Sequence, residues 1–206
     1  MSNTDNRCRQ CRREGAKLFL KGERCFSPKC PIDKKGAVPP GQHGLKRTRR
    51  LSGFGIQLRA KQKAKRFYGL RESQFRNYFE KAFKKKGQTG LALLQILESR
   101  LDNIVYRAGL APSRKSARQL IRHGHVLVDD KKVDVSSYLL KPGQVIKVAD
   151  RSLKTSMVKA RLAIKEESLP KWLQKKATFV KIMRLPERDE IATDFDDTLI
   201  VEYYFR

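Results

Sequence analysis

The four cysteines of this chain lie within its first thirty residues and form two short pairs, Cys8 with Cys11 and Cys25 with Cys30. Two thiolate pairs separated by a loop can each bind one edge of a tetrahedral ion, and such spacing is typical of structural zinc sites. We therefore expect one structural Zn²⁺ ion, bound by Cys8, Cys11, Cys25 and Cys30. The spacing alone leaves two alternatives open, which are two disulfides or four cysteines without a ligand.

The surroundings of the cysteines favour a metal over disulfides. The segment Met1–Gln10 is polar and has no apolar signal-peptide stretch. No apolar run approaches the roughly eighteen residues that a membrane span needs. These features predict a cytosolic protein, whose thiols stay reduced. Cations close in sequence should favour the metal-binding thiolate form; they are Arg7, Arg9, Arg12, Arg13, Arg24 and Lys29.

The charge of the chain predicts a polyanionic partner. A total of 47 Lys and Arg against 21 Asp and Glu gives a formal charge of +26 and a pI near 10.3. Solubility alone requires far less charge. Nucleic acid is favoured over an anionic membrane, because the sequence contains neither a lipid-anchor motif nor an amphipathic helix with a large apolar face.

The densest positive stretch runs from residue 46 to 66, follows a Pro- and Gly-rich loop at 39–44, and contains no acidic residue. Lys and Arg side chains that neutralise phosphates supply most of the affinity in nucleic-acid binding. We expect these residues to contact RNA: Lys46, Arg47, Arg49, Arg50, Arg59, Lys61, Lys63, Lys65 and Arg66.

After the basic stretch, helical patterning dominates to about residue 108. An aromatic stripe recurs at i, i+3, i+4, i+7 and i+8, and we expect it in a core rather than stacked on bases. This helix should end at Lys84–Gly87, and apolar residues between 91 and 104 predict further buried helix. The stripe consists of Phe75, Tyr78, Phe79, Ala82 and Phe83.

Residues 100–150 predict a small unit of helix and strand. Ser113 is a good N-cap for a helix that runs to about His123 and stops at Gly124. A tight hairpin is expected at 129–132. The predicted strands are Val126–Val128, Val133–Val135 and Val145–Val148.

Cations on this helix recur every four residues, at Arg114, Arg118 and Arg122, beside an apolar row. Such a helix can dock its apolar back and present its charged front to RNA. The candidate RNA-binding residues of the helix are Arg114, Lys115, Arg118, Gln119 and Arg122.

The end of the chain changes character. Residues 151–184 are basic and predict partly helical structure, whereas the last twenty-one residues are mainly acidic and close on the apolar, strand-like Leu199–Phe205. An acidic end should pack back on its own chain or meet a basic protein rather than phosphate.

The expected fold is α+β, a mainly helical body with an N-terminal zinc knot and an inserted small RNA-binding module. The predicted domains are a zinc-binding segment with all four cysteines, a basic helical domain, the α+β module and a C-terminal part that packs back on the helical domain. Their ranges are 1–45, 46–99, 100–150 and 151–206.

Motifs in order along almost the whole chain resemble the bacterial small-subunit ribosomal protein four family. They are Cys8–Gly15, Leu18–Gly22, Pro40–Gly44, Leu58–Arg59 through Tyr68–Gly69, Gln74–Tyr78, Arg100–Asn103, Ala117–Leu120 and Leu199–Glu202. The resemblance implies a cytoplasmic, non-catalytic protein of the small ribosomal subunit that binds its ribosomal RNA early in assembly. It also implies a position near the channel through which messenger RNA enters, contact with ribosomal protein five, and a contribution to translational accuracy. Nothing points to a homo-oligomer or a membrane.

The same resemblance assigns roles to particular residues. Residues 100–148 look like the RNA-binding module named after the family, and its helix with Arg114, Arg118 and Arg122 matches the part that meets RNA. Lys46, Arg47, Arg49 and Arg50 match the basic segment near the incoming messenger. Relatives usually turn the hairpin of the module on Asn-Gly, whereas this chain has Asp129–Asp130, which leaves the turn type open.

Two other classes of protein could share these features. An RNA-modifying enzyme could carry the module, but the chain has no P-loop, no dinucleotide-binding glycine motif and no His-based triad. His123 and His125 could suggest a metal or acid-base site, although a helix end in an RNA-binding surface explains them more simply, and His43 is expected in a loop. A DNA-binding zinc protein is the other alternative, but the cysteine spacing does not resemble a paired Cys/His finger.

Overall fold

The computed structural model describes residues 7–46, 50–149, 169–176, 178–191 and 193–205. The chain forms two compact units, Met1–Asn77 with Thr193–Arg206, and Tyr78–Ala192. Arg47 and Arg49 of the basic stretch lie outside the described residues, as do residues 151–168 of the segment 151–184 that was expected to be partly helical. Within the described ranges, no helix has the length and apolar character that crossing a membrane requires.

The first unit consists of short helices around one long helix. Helix α3 begins after Ser52, whose Oγ accepts a hydrogen bond from the Gly55 N–H at 3.2 Å, and this side chain caps the helix. The loop before it, at 36–46, has no helix or strand, as its Pro and Gly content predicted. The helices of this unit are α1 (Arg7–Glu14), a 3₁₀ turn (Gly22–Cys25), α2 (Pro31–Lys35), α3 (Gly53–Tyr68), the first part of α4 (Glu72–Phe83) and α8 (Asp197–Tyr204).

The strand expected at Leu199–Phe205 is wrong, because this segment is helix α8. Asp196 caps the helix, since its Oδ1 accepts from the Thr198 N–H at 2.8 Å. Helix α8 packs along α3, with Ile200 fully buried and the Phe54 and Tyr203 rings 5.7 Å apart. The β-branched residues that suggested a strand are accommodated in a helix because docking on α3 outweighs their weak strand preference.

The helices of the second unit follow the predicted pattern. The aromatic stripe of α4 is confirmed as buried, at Phe75 in the first unit and at Tyr78, Phe79 and Ala82 in the second, but Phe83 at the end of α4 is 54% exposed and does not belong to it. The helix of the module begins at the Ser113 cap and stops at Gly124, which has φ of +70°. The helices that follow α4 are α5 (Thr89–Glu98), α6 (Leu101–Arg107) and α7 (Arg114–Arg122).

Five antiparallel strands form one sheet in the second unit, in the order β2-β1-β3-β5-β4. Its α6 and α7 side chains pack with one sheet face in a single core that contains Trp172. The α+β class is therefore confirmed. The strands are β1 (Val126–Val128), β2 (Lys131–Lys132), β3 (Val145–Val148), β4 (Leu173–Lys176) and β5 (Phe179–Ile182).

Two strand predictions need correction. The strand after β1 is Lys131–Lys132, not Val133–Val135, because Asp129 and Asp130 alone make the turn, with φ of +48° and +62°. Positive φ at both central residues is the signature of a type I′ hairpin, whose twist matches the strands that flank it. The described part of the segment expected to be partly helical, 169–184, contributes β4 and β5 instead.

Candidate nucleic-acid interface and cysteine cluster

The exposed face of α7 differs from the row of three arginines that the sequence suggested. Lys115, Gln119 and Arg122 are exposed, and Arg118 is partly exposed. Positions 115, 119 and 122 follow i, i+4, i+7 spacing, which places them on one helix face. The outward row of α7 is therefore Lys115, Gln119 and Arg122, with Arg118 beside it.

Arg114 faces inward, so it does not belong to this surface. It is 7% exposed, its Nε donates to Asn103 Oδ1 at 2.8 Å, and its guanidinium lies 4.5 Å from the centre of the Tyr106 ring. A cation held by an amide and an aromatic face stabilises the docking of α7 on α6. The role of Arg114 is corrected from RNA contact to packing.

Arg118 is held in place by the buried carboxylate of Asp102. Arg118 Nε donates to Asp102 Oδ2 at 2.6 Å, and the same carboxylate accepts from Arg100 Nε at 3.0 Å and Nη2 at 2.9 Å. Burial would lower the pKa of Arg100, but the hydrogen bond and charge of Asp102 outweigh it and raise that pKa above its usual range. One buried anion thus orients two guanidinium groups.

A second polar network lies beside it. Asn103 Nδ2 donates to Glu98 Oε2 at 2.6 Å, and Arg107 Nη2 donates to Glu98 Oε1 at 2.9 Å. Because Asn103 also accepts from Arg114, it connects the Glu98 carboxylate to α7. The sequence analysis did not predict these two buried networks, and it used Arg100–Asn103 only as one of the motifs that resemble the family. Their signal was the placement of charged residues inside an otherwise apolar helical stretch.

The basic stretch 46–66 is largely paired with acids of its own unit. Arg59 and Arg66 both donate to the buried carboxylate of Glu14, and Lys61 and Lys65 donate to the two oxygens of Glu72 at 2.6 and 2.7 Å. Lys63 Nζ lies 2.7 Å from Asp194 Oδ2. The cations of α3 therefore hold α1, α4 and the acidic C-terminal segment around the helix. Lys46 and Arg50, which precede α3, are exposed.

Lys61 in particular is not a surface cation. It is 4% exposed, and its Nζ lies 4.2 Å from the centre of the Tyr203 ring of α8 as well as bonding Glu72. A buried ammonium is tolerated only when it is paired, and here a carboxylate and an aromatic face pair it. The expectation that Lys61 contacts RNA is corrected accordingly.

The four cysteines line one cavity. Cys8 and Cys11 lie one turn apart on α1, Cys25 ends the 3₁₀ turn, and Cys30 is the N-cap of α2. No disulfide joins any of the four, and only Cys8 is partly exposed. The Lys21 N–H donates to Cys25 Sγ at 3.3 Å, which orients that sulfur.

The expectation that neighbouring cations favour the thiolates is wrong for two of them. Burial raises the pKa of Cys11 and of Cys25 above the ordinary thiol value, and backbone hydrogen bonds from Leu18 and Lys21 only partly offset it. Two of the nearby guanidinium groups donate to backbone carbonyls rather than to the sulfurs. Arg7 Nη1 donates to Leu20 O at 2.8 Å, and Arg12 Nε donates to Val38 O at 2.8 Å.

The chemistry of the donor set fits zinc, since four thiols from three local elements border the same space. In the part of the chain that the structure describes, no three His, Cys, Asp or Glu side chains are arranged so that they could hold a metal ion. The four sulfurs therefore border one cavity, but they are not arranged as the ligands of a bound metal ion.

The histidines lie at two places. His123 is exposed and His125 is partly exposed, and their rings are parallel within 6° with centres 6.0 Å apart, next to the outward row of α7. His43 is exposed in the loop at 39–44, as expected.

Comparison with known proteins defines the class to which this arrangement belongs. Residues 2–98 match the family model described as the ribosomal protein S4/S9 N-terminal domain, and residues 99–146 match the S4 domain. The two matches together cover most of the chain and coincide with the helical first part and the module that carries α7. They define an S4-domain protein of the ribosomal type.

Individual relatives are similar over almost their whole length. The chain is 50% identical over 202 residues to small ribosomal subunit protein uS4 of Thermus thermophilus, with 97% of this chain and 96% of the relative covered. It is 53% identical over 203 residues to uS4 of Acetivibrio thermocellus, with 96% and 95% covered. With uS4A of Symbiobacterium thermophilum it shares 51% over 201 residues. The chain belongs to the uS4 family of small ribosomal subunit proteins, which confirms the resemblance inferred from its motifs and does not favour the enzyme or the DNA-binding alternative.

Proposed function

We propose that this chain is a structural, non-catalytic protein of the small ribosomal subunit in the bacterial cytoplasm, and that it binds small-subunit ribosomal RNA through α7. The observation that carries the proposal is the outward row of Lys115, Gln119 and Arg122 beside Arg118, whose guanidinium is fixed by the buried Asp102. The family membership of the chain supports the same function.

The mechanism is electrostatic attraction made selective by rigidity. Each cation that neutralises a phosphate releases a condensed counterion, so affinity falls steeply as the salt concentration rises. The deep and narrow major groove of RNA prevents side chains from reading bases there, so recognition depends on shape and on backbone contacts. Arg118 is already oriented by Asp102, and it therefore loses little conformational freedom on binding.

The finer parts of the function rest on two exposed segments. Lys46 and Arg50 are exposed in the segment before α3 and would contact messenger RNA near the channel through which it enters. The acidic segment before α8 has exposed carboxylates, Asp194 and Asp196, which suit a basic neighbour such as ribosomal protein five. Early binding during assembly and a contribution to translational accuracy belong to the same proposal.

We further propose that Cys8, Cys11, Cys25 and Cys30 hold one structural Zn²⁺ ion. Their shared cavity and their donor chemistry support it. The ion would supply crosslinks between α1, the 3₁₀ turn and α2, which are too short to stabilise themselves through an apolar core.

The proposal for α7 is tested with a double variant, Lys115→Ala with Arg122→Ala, and a transcript of small-subunit ribosomal RNA. Loss of two phosphate contacts should weaken binding and flatten the slope of log affinity against log salt by about one for each contact. The matched control is Lys84→Ala with Lys85→Ala, which removes the same charge from exposed positions after α4. Equal effects of the two double variants would show that net charge, and not α7, determines binding.

Competition separates RNA-shape recognition from the DNA-binding alternative. A reader of folded RNA should lose little bound transcript to duplex DNA at moderate salt, because B-form grooves do not match its array of cations. Equal competition by duplex DNA would contradict the proposed function.

A further inference from the structure

The outer face of the five-stranded sheet carries an aligned row of cations around one aromatic ring. Strand register pairs Lys132 with Leu127, Leu127 with Lys147, Lys147 with Phe179, and Phe179 with Lys176. Directly paired residues of antiparallel strands point to the same face. The row therefore crosses all five strands, with about 4.8 Å between neighbouring strands.

Burial identifies this face as the outer one. Ile146 and Val180, which alternate with the row, are fully buried in the core, whereas Lys132, Phe179 and Lys176 are exposed and Lys147 is partly exposed. Lys181 is exposed on the same face, two residues along the strand from Phe179. The five strands that the structure describes contain six lysines and no acidic residue, so the strand residues themselves contribute only positive charge to the sheet.

Phe179 is the feature that a purely solvating surface does not explain. The side chain lies in a central strand of the sheet and is 43% exposed. Lys147 Nζ lies 5.4 Å from the centre of its ring, and Lys176 flanks it on the other side. An exposed ring between cations is the arrangement that proteins use to bind single-stranded nucleic acid, because every base has a face that can stack.

We propose that this surface, which we call the outer sheet face (Leu127, Lys132, Lys147, Lys176, Phe179 and Lys181), binds a single-stranded segment of RNA with one unpaired base stacked on Phe179. The lysines would contact the phosphates on either side of that base. The inference takes its ligand class from the proposed function, but it concerns a surface separate from the α7 row. Charge complementarity favours a polyanion, and the ring favours one with bases over an acidic peptide.

The test compares binding of a short fluorescein-labelled oligoadenylate with binding of inorganic polyphosphate, which has the charges but no bases. Full-length protein is used, with the variants Phe179→Ala and Phe179→Leu. Base stacking on an aromatic side chain corresponds to about a 5- to 150-fold change in affinity. Both variants should bind oligoadenylate at least about 5-fold more weakly and polyphosphate as tightly as the unaltered chain, because all lysines remain.

The leucine variant keeps an apolar side chain in the strand, so it guards against loss of folding in the alanine variant. Phe83→Ala is the matched control, since Phe83 is also an exposed ring in a lysine-rich segment but lies at a helix end. It should leave oligoadenylate affinity unchanged. In Phe179→Trp, oligoadenylate should quench the new indole, while Trp172 stays buried at 2% exposure and gives a constant background.

Three outcomes would overturn the proposal. The first is unchanged oligoadenylate affinity in Phe179→Leu, and the second is an equal loss for oligoadenylate and polyphosphate. Polyglutamate, added as a third ligand, supplies the last: a loss confined to it would identify an acidic protein as the occupant. Failure here is distinguishable from failure of the proposed function. If only the outer sheet face proposal fails, the double variant Lys115→Ala with Arg122→Ala still weakens ribosomal RNA binding. If the proposed function fails, that double variant leaves ribosomal RNA binding unchanged.

Discussion

Arg118 Nε donates to Asp102 Oδ2 at 2.6 Å, and the two side chains differ sharply in exposure, at 31% for Arg118 and 1% for Asp102. The pair joins the proposed RNA-binding surface to the interior of the module. The same carboxylate holds the buried Arg100. Orientation of the surface cation and stability of the core therefore depend on one anion.

Replacing Asp102 with Asn should destabilise the module strongly. Asn keeps the shape but removes the charge, which leaves the guanidinium of Arg100 buried without a counterion, and breaking a buried pair in this way costs about 3–5 kcal/mol. Trp172 is the single tryptophan and lies in the core of this unit, so its fluorescence during urea unfolding reports on the module. Arg118→Ala serves as the comparison. It removes a partly exposed partner and should cost about 1 kcal/mol or less, and equal losses in the two variants would contradict the assigned role of Asp102.

Arg114→Ala should separate folding from RNA binding. The variant loses a buried hydrogen bond to Asn103 and the contact with the Tyr106 ring, and hydrogen bonds of charged groups contribute about 1.5–3 kcal/mol. We expect a lower free energy of unfolding by Trp172 fluorescence, with the salt slope for ribosomal RNA unchanged at temperatures where the protein is folded. Arg122→Ala should do the reverse. A flatter salt slope in Arg114→Ala would mean that this guanidinium reaches phosphate after all.

The first unit should lose stability in acid through Glu72. Partial burial would raise the pKa of the Glu72 carboxyl, but hydrogen bonds from Lys61 and Lys65 outweigh it and hold that pKa below its usual range. A carboxyl whose folded pKa is lowered contributes stability above its unfolded pKa of about 4.3, and the contribution is lost as the pH falls through the folded pKa. Hydrogen exchange of α3 amides, compared at neutral pH and at a pH below about 4, measures the loss.

Glu72→Gln should be less stable than the unaltered chain at neutral pH and should show a flatter pH dependence, because the titrating group is gone. Asp194→Asn is the control, since its ion pair with Lys63 involves a carboxylate that is 82% exposed. Exposed pairs contribute about 0–1 kcal/mol. An acid transition in Glu72→Gln as large as in the unaltered chain would assign the effect to another carboxyl.

Gly44→Ala should disrupt the loop between α2 and α3. A Cβ at Gly44 would overlap the carbonyl oxygen of Pro39, and close-packed backbone atoms cannot tolerate such an overlap. Since Arg12 Nη2 donates to that same oxygen, displacement of Pro39 should also loosen the contact with α1. Limited proteolysis of the loop should become faster. Gly53→Ala, where a Cβ meets nothing within 4 Å, should leave the cleavage rate unchanged.

The elements that the sequence predicted well are those with a local cause. The Ser113 cap, the Gly124 stop and the alternation in Val145–Val148 each depend on residues a few positions apart, and the structure has all three. The strand prediction for Leu199–Phe205 was wrong because the helical state of this segment depends on docking against α3, which is distant in sequence. The hydrogen bond from Gln57 to Glu202, for example, joins residues 145 positions apart.

The sequence predicted the helix that carries the candidate site, but not which of its side chains are exposed. Periodicity placed Arg114, Arg118 and Arg122 in one row, yet it carried no information on the partners that would draw Arg114 inward. Likewise, the acid-free stretch 46–66 looked unneutralised in sequence, because its counterions Glu14, Glu72 and Asp194 lie outside the stretch. A surplus of charge in a segment therefore identifies a polyanion-binding protein more reliably than it identifies the contacting residues.

Zinc removal should affect the N-terminal segment selectively. Protein purified under reducing conditions should contain one zinc per chain by elemental analysis, and Cys11→Ser should reduce that content. Structural zinc contributes about 10–16 kcal/mol of apparent binding free energy in small zinc-folded peptides, so a strong chelator should accelerate hydrogen exchange throughout residues 7–46. The module should keep its urea transition by Trp172 fluorescence, because its core contains none of the four cysteines.

Ser27→Ala provides the control for the zinc experiment, since Ser27 lies between Cys25 and Cys30 but offers no thiol. Its Oγ donates to the Arg24 carbonyl in the same turn at 3.1 Å, so its zinc content should match that of the unaltered chain. Zinc-free protein from a reducing purification, with amides in residues 7–46 already protected, would show that the thiols pack as small apolar groups. In that case the segment would be held together by packing and by the Lys17–Asp33 pair, which joins the loop after α1 to α2, rather than by a metal.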